Sequence, residues 1–323
     1  ASFAGVQPHM TETVDLAIVG ATLVACDGSP PQPGSVLVDR GIISAVVGPG
    51  EVVDARRVID ASGHAVLPGF VDCHTHIASN MLLRGLLEDT ELFAWLETMW
   101  RLKKNFDHET LYWANLCGLV EMAKSGITCF NEHFDGYAVT PQVRALDDIR
   151  LKATLGYGFA DIGVYADTAD WSWTALADFD AATSGAADID GDRVRLALSP
   201  HAPYSCTEPM WRTIRELADE RGLPIHTHVA EGERERAFMA ETYGMTTVEW
   251  LDHIGFLGSD ITAAHCSLLT PSDIARLAEH DVKVAHCPVC NAKLVSGTMD
   301  LRGLLAGGVT VGLATDGPAS HNT

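Results

Sequence analysis

The sequence predicts an α/β protein: a (β/α)₈ barrel preceded by a small N-terminal β-sheet domain. Three observations predict it. Near Leu67 the texture changes, from short Val- and Ile-rich runs broken by Gly and Pro to apolar segments alternating with amphipathic ones. Eight such alternations occupy the roughly 250 residues that make one closed parallel barrel. Histidines and acids then recur at the ends of the apolar segments, where barrel active sites are built.

The elements follow in order. Residues 1–10, "ASFAGVQPHM", have neither a positive n-region nor a long apolar run, and read as an expression scar rather than a signal peptide. Residues 11–66 read as a β-domain, with strands in "TVDLAIVGATLVAC", "GSVLVDRGIISAVVG" and "RVIDASGHAVL". Residues 67–323 are assigned to the barrel, with strand cores near 66–73, 126–131, 152–158, 193–199, 224–229, 260–265, 282–286 and 310–315. Helical stretches such as "EPMWRTIRELADERG" and "TPSDIARLAEHD" lie between them, the second opening on Thr270 as N-cap before Pro271. A doubly wound open sheet is the alternative, but no G-x-G-x-x-G follows the early strands. The sequence ends at Thr323, just past the eighth strand, so the β-domain is expected to be incomplete and a sheet edge exposed.

Composition bounds the function. With 43 acidic against 22 basic residues the formal net charge is -21, a surface that repels phosphate backbones and makes nucleic acid a poor partner. No run of about 18 uncharged apolar residues exists, which argues against a membrane span. The 8 cysteines show no framework spacing and fit reduced thiols, so a cytoplasmic protein is expected.

The strongest chemical signal is "PGFVDCHTHI". His74 and His76 sit two residues apart at a strand end, so both imidazoles project to one face and can meet one ion; alone, the pattern fits a polar loop opening equally well. Later strand ends add His201 in "LSPHAPYSC", His226, His228 and Glu231 in "IHTHVAE", His265 in "AAHC", His286 in "VAHCPVCN" and Asp316 in "LATDG". A single histidine at a strand end is usually structural. A ring of them aimed at one rim predicts a metal site. Cys287-Pro-Val-Cys290 has redox or zinc-knuckle spacing, but no second cysteine pair accompanies it. The H-x-E plus P-C-x-x-C pattern of the other zinc deaminase class is absent.

These motifs resemble the amidohydrolase superfamily, in its branch of S-adenosylhomocysteine/methylthioadenosine deaminases and triazine (atrazine) hydrolases. "PGFVDCHTHIASNMLLRGLLED", "SPHAPYSC", "HTHVAE", "AAHCSLL", "AHCPVCNAKL" and "GLATDGPASHNT" carry the resemblance, in order, over nearly the whole chain. It implies that His74, His76, His228 and Asp316 hold one divalent metal, Zn²⁺ first and Fe²⁺ as the alternative. It implies that His265 hydrogen-bonds the attacking water, that Glu231 shuttles protons, and that His201 and Ser320 face the substrate. His226 is assigned to supporting the ligands. Binuclear members carry a bridging lysine on the fourth strand; "RLALSPH" has none, so one metal is expected.

The resemblance therefore implies hydrolytic deamination of an aminated N-heterocycle (purine, pterin, pyrimidine or triazine) in a homo-oligomer, a dimer or tetramer. Displacement of chloride or alkylamine from a triazine-like ring, and a metal-free binding scaffold, are the competing readings. In the nucleoside deaminases a Pro and a ribose-binding Glu follow "WL", where this chain has Leu102 and Lys104. Tyr157 stands where those enzymes place a carboxylate-binding Arg. "SGITCFNEHFDGY" resembles the triazine enzymes, and "ELFAWL" is similar to deaminases of oxidised purines and isocytosine. Trp95, Trp100 and Trp113 are candidates to stack on a flat ring. The expected substrate is thus a compact, uncharged ring rather than a nucleoside with an amino-acid tail.

Overall fold

The computed structural model describes residues 13–88, 90–134, 139–186, 191 and 193–321, without the side chains of residues 79 and 134. Residues 1–10, read as a scar, lie outside the described residues. Two compact units are present, 1–69 and 70–323.

The first unit is a five-stranded sheet. β1 (Val14–Leu23) pairs antiparallel with β2 (Gln32–Asp39), which pairs with β3 (Ile42–Val47). β4 (Ala55–Asp60) and β5 (Ala65–Val66) add to β1 in parallel. The segment "GSVLVDRGIISAVVG" is a hairpin: Arg40 and Gly41 both take positive φ, 49° and 77°, as a two-residue turn between right-twisted strands requires. Alternating residues pack Ala17, Leu37, Ala45 and Val47 into one cluster and Ala21, Leu23, Val36 and Ala61 into another.

The second unit is the barrel. Its strands are β6 (Phe70–Thr75), β7 (Ile127–Phe134), β8 (Lys152–Phe159), β9 (Val194–Pro200), β10 (Ile225–Val229), β11 (Ile261–His265), β12 (Lys283–His286) and β13 (Val311–Leu313). Each pairs in parallel with the next, and a bridge between Thr75 and Asp316 closes the ring. Asp72 ties the seam: its carboxylate accepts from Thr315 N at 3.0 Å and Thr315 Oγ1 at 2.5 Å.

Helices cover the outside. Glu208–Arg221 shows the logic, with Met210, Ile214 and Ala218 four residues apart on its buried face. Trp211 on the same helix meets Trp250 and Phe256 edge to face, at 5.9 and 4.7 Å between centroids. Gly222, at φ +63°, ends the helix in the left-handed conformation that glycine adopts freely. Helix Pro271–Glu279 starts on the expected Thr270, in a full capping box with Asp273. A further helix, Leu92–Lys103, lies in the long β6–β7 connection and supplies side chains to the barrel mouth. No described helix is long and apolar enough to cross a membrane.

Candidate metal centre and active site

The inward-facing residues at the C-terminal ends of the strands meet over the barrel axis. His74 lies on β6 and His76 just after it, His228 lies on β10, and Asp316 follows β13. His76 Nε2 lies 3.1 Å from His228 Nε2, and Asp316 Oδ1 lies 3.0 Å from His74 Nε2 and 3.4 Å from His76 Nε2. One ligand atom from each of His74, His76 and His228 falls within 4.8 Å of the other two.

Their outer contacts fix which nitrogens face inward. His228 Nδ1 donates to the His201 carbonyl at 2.7 Å, leaving the Nε2 lone pair for the centre. His74 Nδ1 sits 2.7 Å from His226 Nε2, which holds that ring from behind. Burial pushes the His74 pKa down to about 3 and that of His228 well below its ordinary value, so both imidazoles are neutral. Burial works the other way on Asp316, but His74 and His76 outweigh it and hold the carboxyl well below the usual range. Three imidazoles and an ionised carboxylate converging without intervening protein suit one divalent ion.

Two other groupings include the thiols of Cys287 and Cys290, each with His265. Both cysteines are buried and free, and burial beside carboxylates raises their pKa values far above the ordinary thiol range. Protonated thiols are poor ligands, and the imidazole set is the better cradle.

The acid–base groups lie beside this centre. Glu231 is buried, and desolvation raises its pKa to about 7 against the opposing pull of His265. His265 Nε2 is 3.7 Å from Glu231 Oε1, and its Nδ1 donates to Asn291 Oδ1 at 2.9 Å. Burial lowers the His265 pKa, yet Glu231 and Asp316 outweigh it and leave the pKa raised. His265 and Asp316 both hold left-handed backbone, φ +71° and +62°. Asn291, on the helix after β12, had no signal in the sequence.

A chamber is lined by His76, His228, Glu231, His265 and Asp316 and by Trp95, Tyr165, His201, Tyr204 and Lys103 among others. Trp95 and His201 are thus brought to the site. Ser320 is not on that wall: fully buried, it donates to Asp316 Oδ2 and accepts from Gly317 N at 3.1 Å, orienting the carboxylate instead.

Tyr157 also departs from expectation. In the β7–β8 register His133 faces Gly156, so Tyr157 points to the opposite side and packs against Trp171 and Phe179 in the helical layer. Lys104 is likewise turned outward, 3.1 Å from Asp167. The lysine on the chamber wall is Lys103, its helical neighbour. Trp100 lines an adjoining recess, whereas Trp113 is half exposed on another helix.

Comparisons with known proteins identify the family. Residues 65–323 match the model of the amidohydrolase family. The chain is 38% identical over 290 residues to the 5'-deoxyadenosine deaminase of Methanothermobacter thermautotrophicus, covering 90% of this chain and 66% of that protein. It is 39% identical over 269 residues to the 5-methylthioadenosine/S-adenosylhomocysteine deaminase of Thermococcus sibiricus, covering 83% of this chain and 62% of that one. The chain therefore spans a little under two thirds of the length of these relatives. The crystal structure of an adenosine deaminase from Xanthomonas campestris with bound zinc superposes with a TM-score of 0.86 at 28% identity, covering 96% of this chain and 71% of that chain.

Proposed function

Because the chain belongs to the amidohydrolase family, we propose that it is a metal-dependent hydrolase that deaminates an aminated N-heterocycle and releases ammonia. The observation that carries the reading is a carboxyl poised near pH 7, Glu231, beside three convergent imidazoles and Asp316 in one chamber. His74, His76, His228 and Asp316 would hold one divalent ion. Zinc is the first candidate, since it is bound in the related adenosine deaminase, and iron the alternative. Such an ion supplies a water acidified towards about pH 7. β9 (VRLALSP) offers no lysine to bridge a second ion.

The chain's own groups move the protons. Asp316, held by His74 and Ser320, is placed to accept one as water is activated. Glu231 donates to a ring nitrogen and so makes the adjacent carbon electrophilic; with a pKa near 7 it can give and retake a proton at neutral pH. His265, fixed by Asn291, offers Nε2 to the attacking oxygen. Oxygen adds to the ring carbon, the carbon–nitrogen bond breaks, and the amine leaves as ammonia after protonation, giving the oxo ring.

The relatives are named as deaminases of 5'-deoxyadenosine and of 5-methylthioadenosine/S-adenosylhomocysteine. Lys104 and Tyr157, on which the expectation of a ring without ribose rested, both face away from the chamber. The reading is therefore the aminated ring itself, a purine, pterin, pyrimidine or triazine. An ammonia-release screen over aminated rings and nucleosides, with zinc- and iron-loaded protein, tests it. Ammonia release from at least one aminated ring is expected; none from any ring or nucleoside would overturn the reaction.

A further inference from the structure

Glu231 carries protons in the reading above, yet no hydrogen bond ties its side chain down among the described residues. The nearest charged partner, His265 Nε2, stands off at 3.7 Å, beyond hydrogen-bond length. A side chain in that position is aimed by its own main chain. Whatever fixes that main chain also fixes the direction in which the proton is delivered.

The main chain turns sharply here. β10 ends at Val229, and Ala230 takes φ +50°, a left-handed conformation that a residue with a Cβ enters at a cost. Hydrogen bonds on both sides hold it there. The Ala230 carbonyl accepts from Ser267 N at 3.0 Å and from Leu268 N at 3.1 Å, in the segment after β11. On the other side, Glu235 Oε1 accepts from Ala230 N at 2.8 Å and Glu235 Oε2 from Glu231 N at 3.0 Å. Thr247 Oγ1 donates to Glu235 Oε1 at 2.6 Å and keeps the carboxylate from turning away.

Glu235 is 1% exposed, and its hydrogen bonds come from two amides and one hydroxyl rather than from a cation. Burying a carboxylate on those terms costs more than burying a neutral side chain. It is the third residue of helix Glu233–Tyr243, where an acid ordinarily turns back to the N-cap amide of its own helix. Here the N-cap is Gly232, and the carboxylate reaches past it to the two residues that aim Glu231. Only a carboxylate presents an acceptor on both prongs; a glutamine would set its NH₂ against one of the two amides.

We propose that Glu235 is a positioning residue: by gripping the amides of Ala230 and Glu231 it aims the Glu231 carboxyl at the reacting ring. The inference rests on the deaminase reading for the role of Glu231, and it adds the group that makes that role possible.

A double-mutant cycle separates this from a plain structural role. kcat is measured on a ring that passes the ammonia screen, for zinc-loaded wild type, Glu235→Gln, Glu231→Gln and the double variant. Glu235→Gln is expected to keep its zinc and to lose about ten- to a hundredfold in kcat, the worth of a catalytic group displaced by about 1 Å. In the Glu231→Gln background the same substitution should cost less than about twofold, because the group it aims is gone. Thr247→Val, which withdraws one hydroxyl from the same carboxylate, runs the cycle with less risk to folding; its smaller loss of kcat should likewise vanish in Glu231→Gln. Hydrogen exchange needs no turnover, and the segment 229–232 should exchange faster in Glu235→Gln than in wild type. Undiminished kcat, equal losses in both backgrounds, loss of zinc, or unchanged exchange would each overturn the proposal. Absence of ammonia from wild type marks failure of the deaminase reading instead, and the exchange result then judges the grip of Glu235.

Discussion

Replacing Glu231 by glutamine keeps the shape of the side chain and removes its proton chemistry. The loop around it should hold, because Ala230 N and Glu231 N donate to the Glu235 carboxylate at 2.8 and 3.0 Å and neither bond uses the Glu231 side chain. With the carboxyl titrating near 7 the wild type is about half protonated at neutral pH and can act as acid or base. Losing a positioned acid–base should lower kcat by about two to four orders of magnitude, or roughly 3–5 kcal/mol of barrier.

The same substitution has a stability signature of definite sign. A carboxyl raised from 4.5 to about 7 by folding binds its proton more tightly in the native state. Its contribution is intact below about pH 4.5 and is lost as the pH climbs through about 7, a loss of about 3 kcal/mol. In chelator-treated protein, urea unfolding from pH 5 to pH 8 should therefore show Glu231→Gln gaining on wild type by up to about 3 kcal/mol. Near-normal turnover of a verified substrate by Glu231→Gln, or parallel pH–stability curves, would refute the reasoning.

Other substitutions test other parts of the account. His228→Ala, which removes a proposed ligand oriented by the His201 carbonyl, should abolish tight zinc binding in a competition titration while leaving the circular dichroism of the barrel intact. Gly156→Ala would place a Cβ against Ser199 Oγ and 2.7 Å from the Glu132 carbonyl, a backbone atom that cannot retreat; thermal unfolding should show a loss of about 1–3 kcal/mol. Thr270→Ala removes a side chain that caps Asp273 N at 3.1 Å, and chemical denaturation should report about 1 kcal/mol.

The barrel was legible because its strands are apolar runs that each end in chemistry, so strand position and site were read from the same residues. His74 and His76 needed only the two-residue period of a strand. Side-chain direction was harder. Lys103 and Lys104 differ by one step on a helix, about 100° of rotation, and only the packed helix shows that Lys103 faces the chamber while Lys104 meets Asp167. Tyr157 illustrates the strand equivalent: with Gly156 on the inward face, the aromatic ring belongs to the outer layer. Glu235 stood in plain view in "EGERE", but nothing in a sequence says that its carboxylate turns back to the amides of Ala230 and Glu231. Asn291 reaches His265 across 26 residues of chain, a contact without local periodicity.

Everything proposed for the reaction depends on one ion held by His74, His76, His228 and Asp316, so the metal content of the purified protein is the most direct test. Elemental analysis after mild dialysis should find about one zinc or iron per chain, retained when the cysteines are alkylated under native conditions. Two metals per chain, or none retained by a protein that still released ammonia from its substrate, would contradict the account.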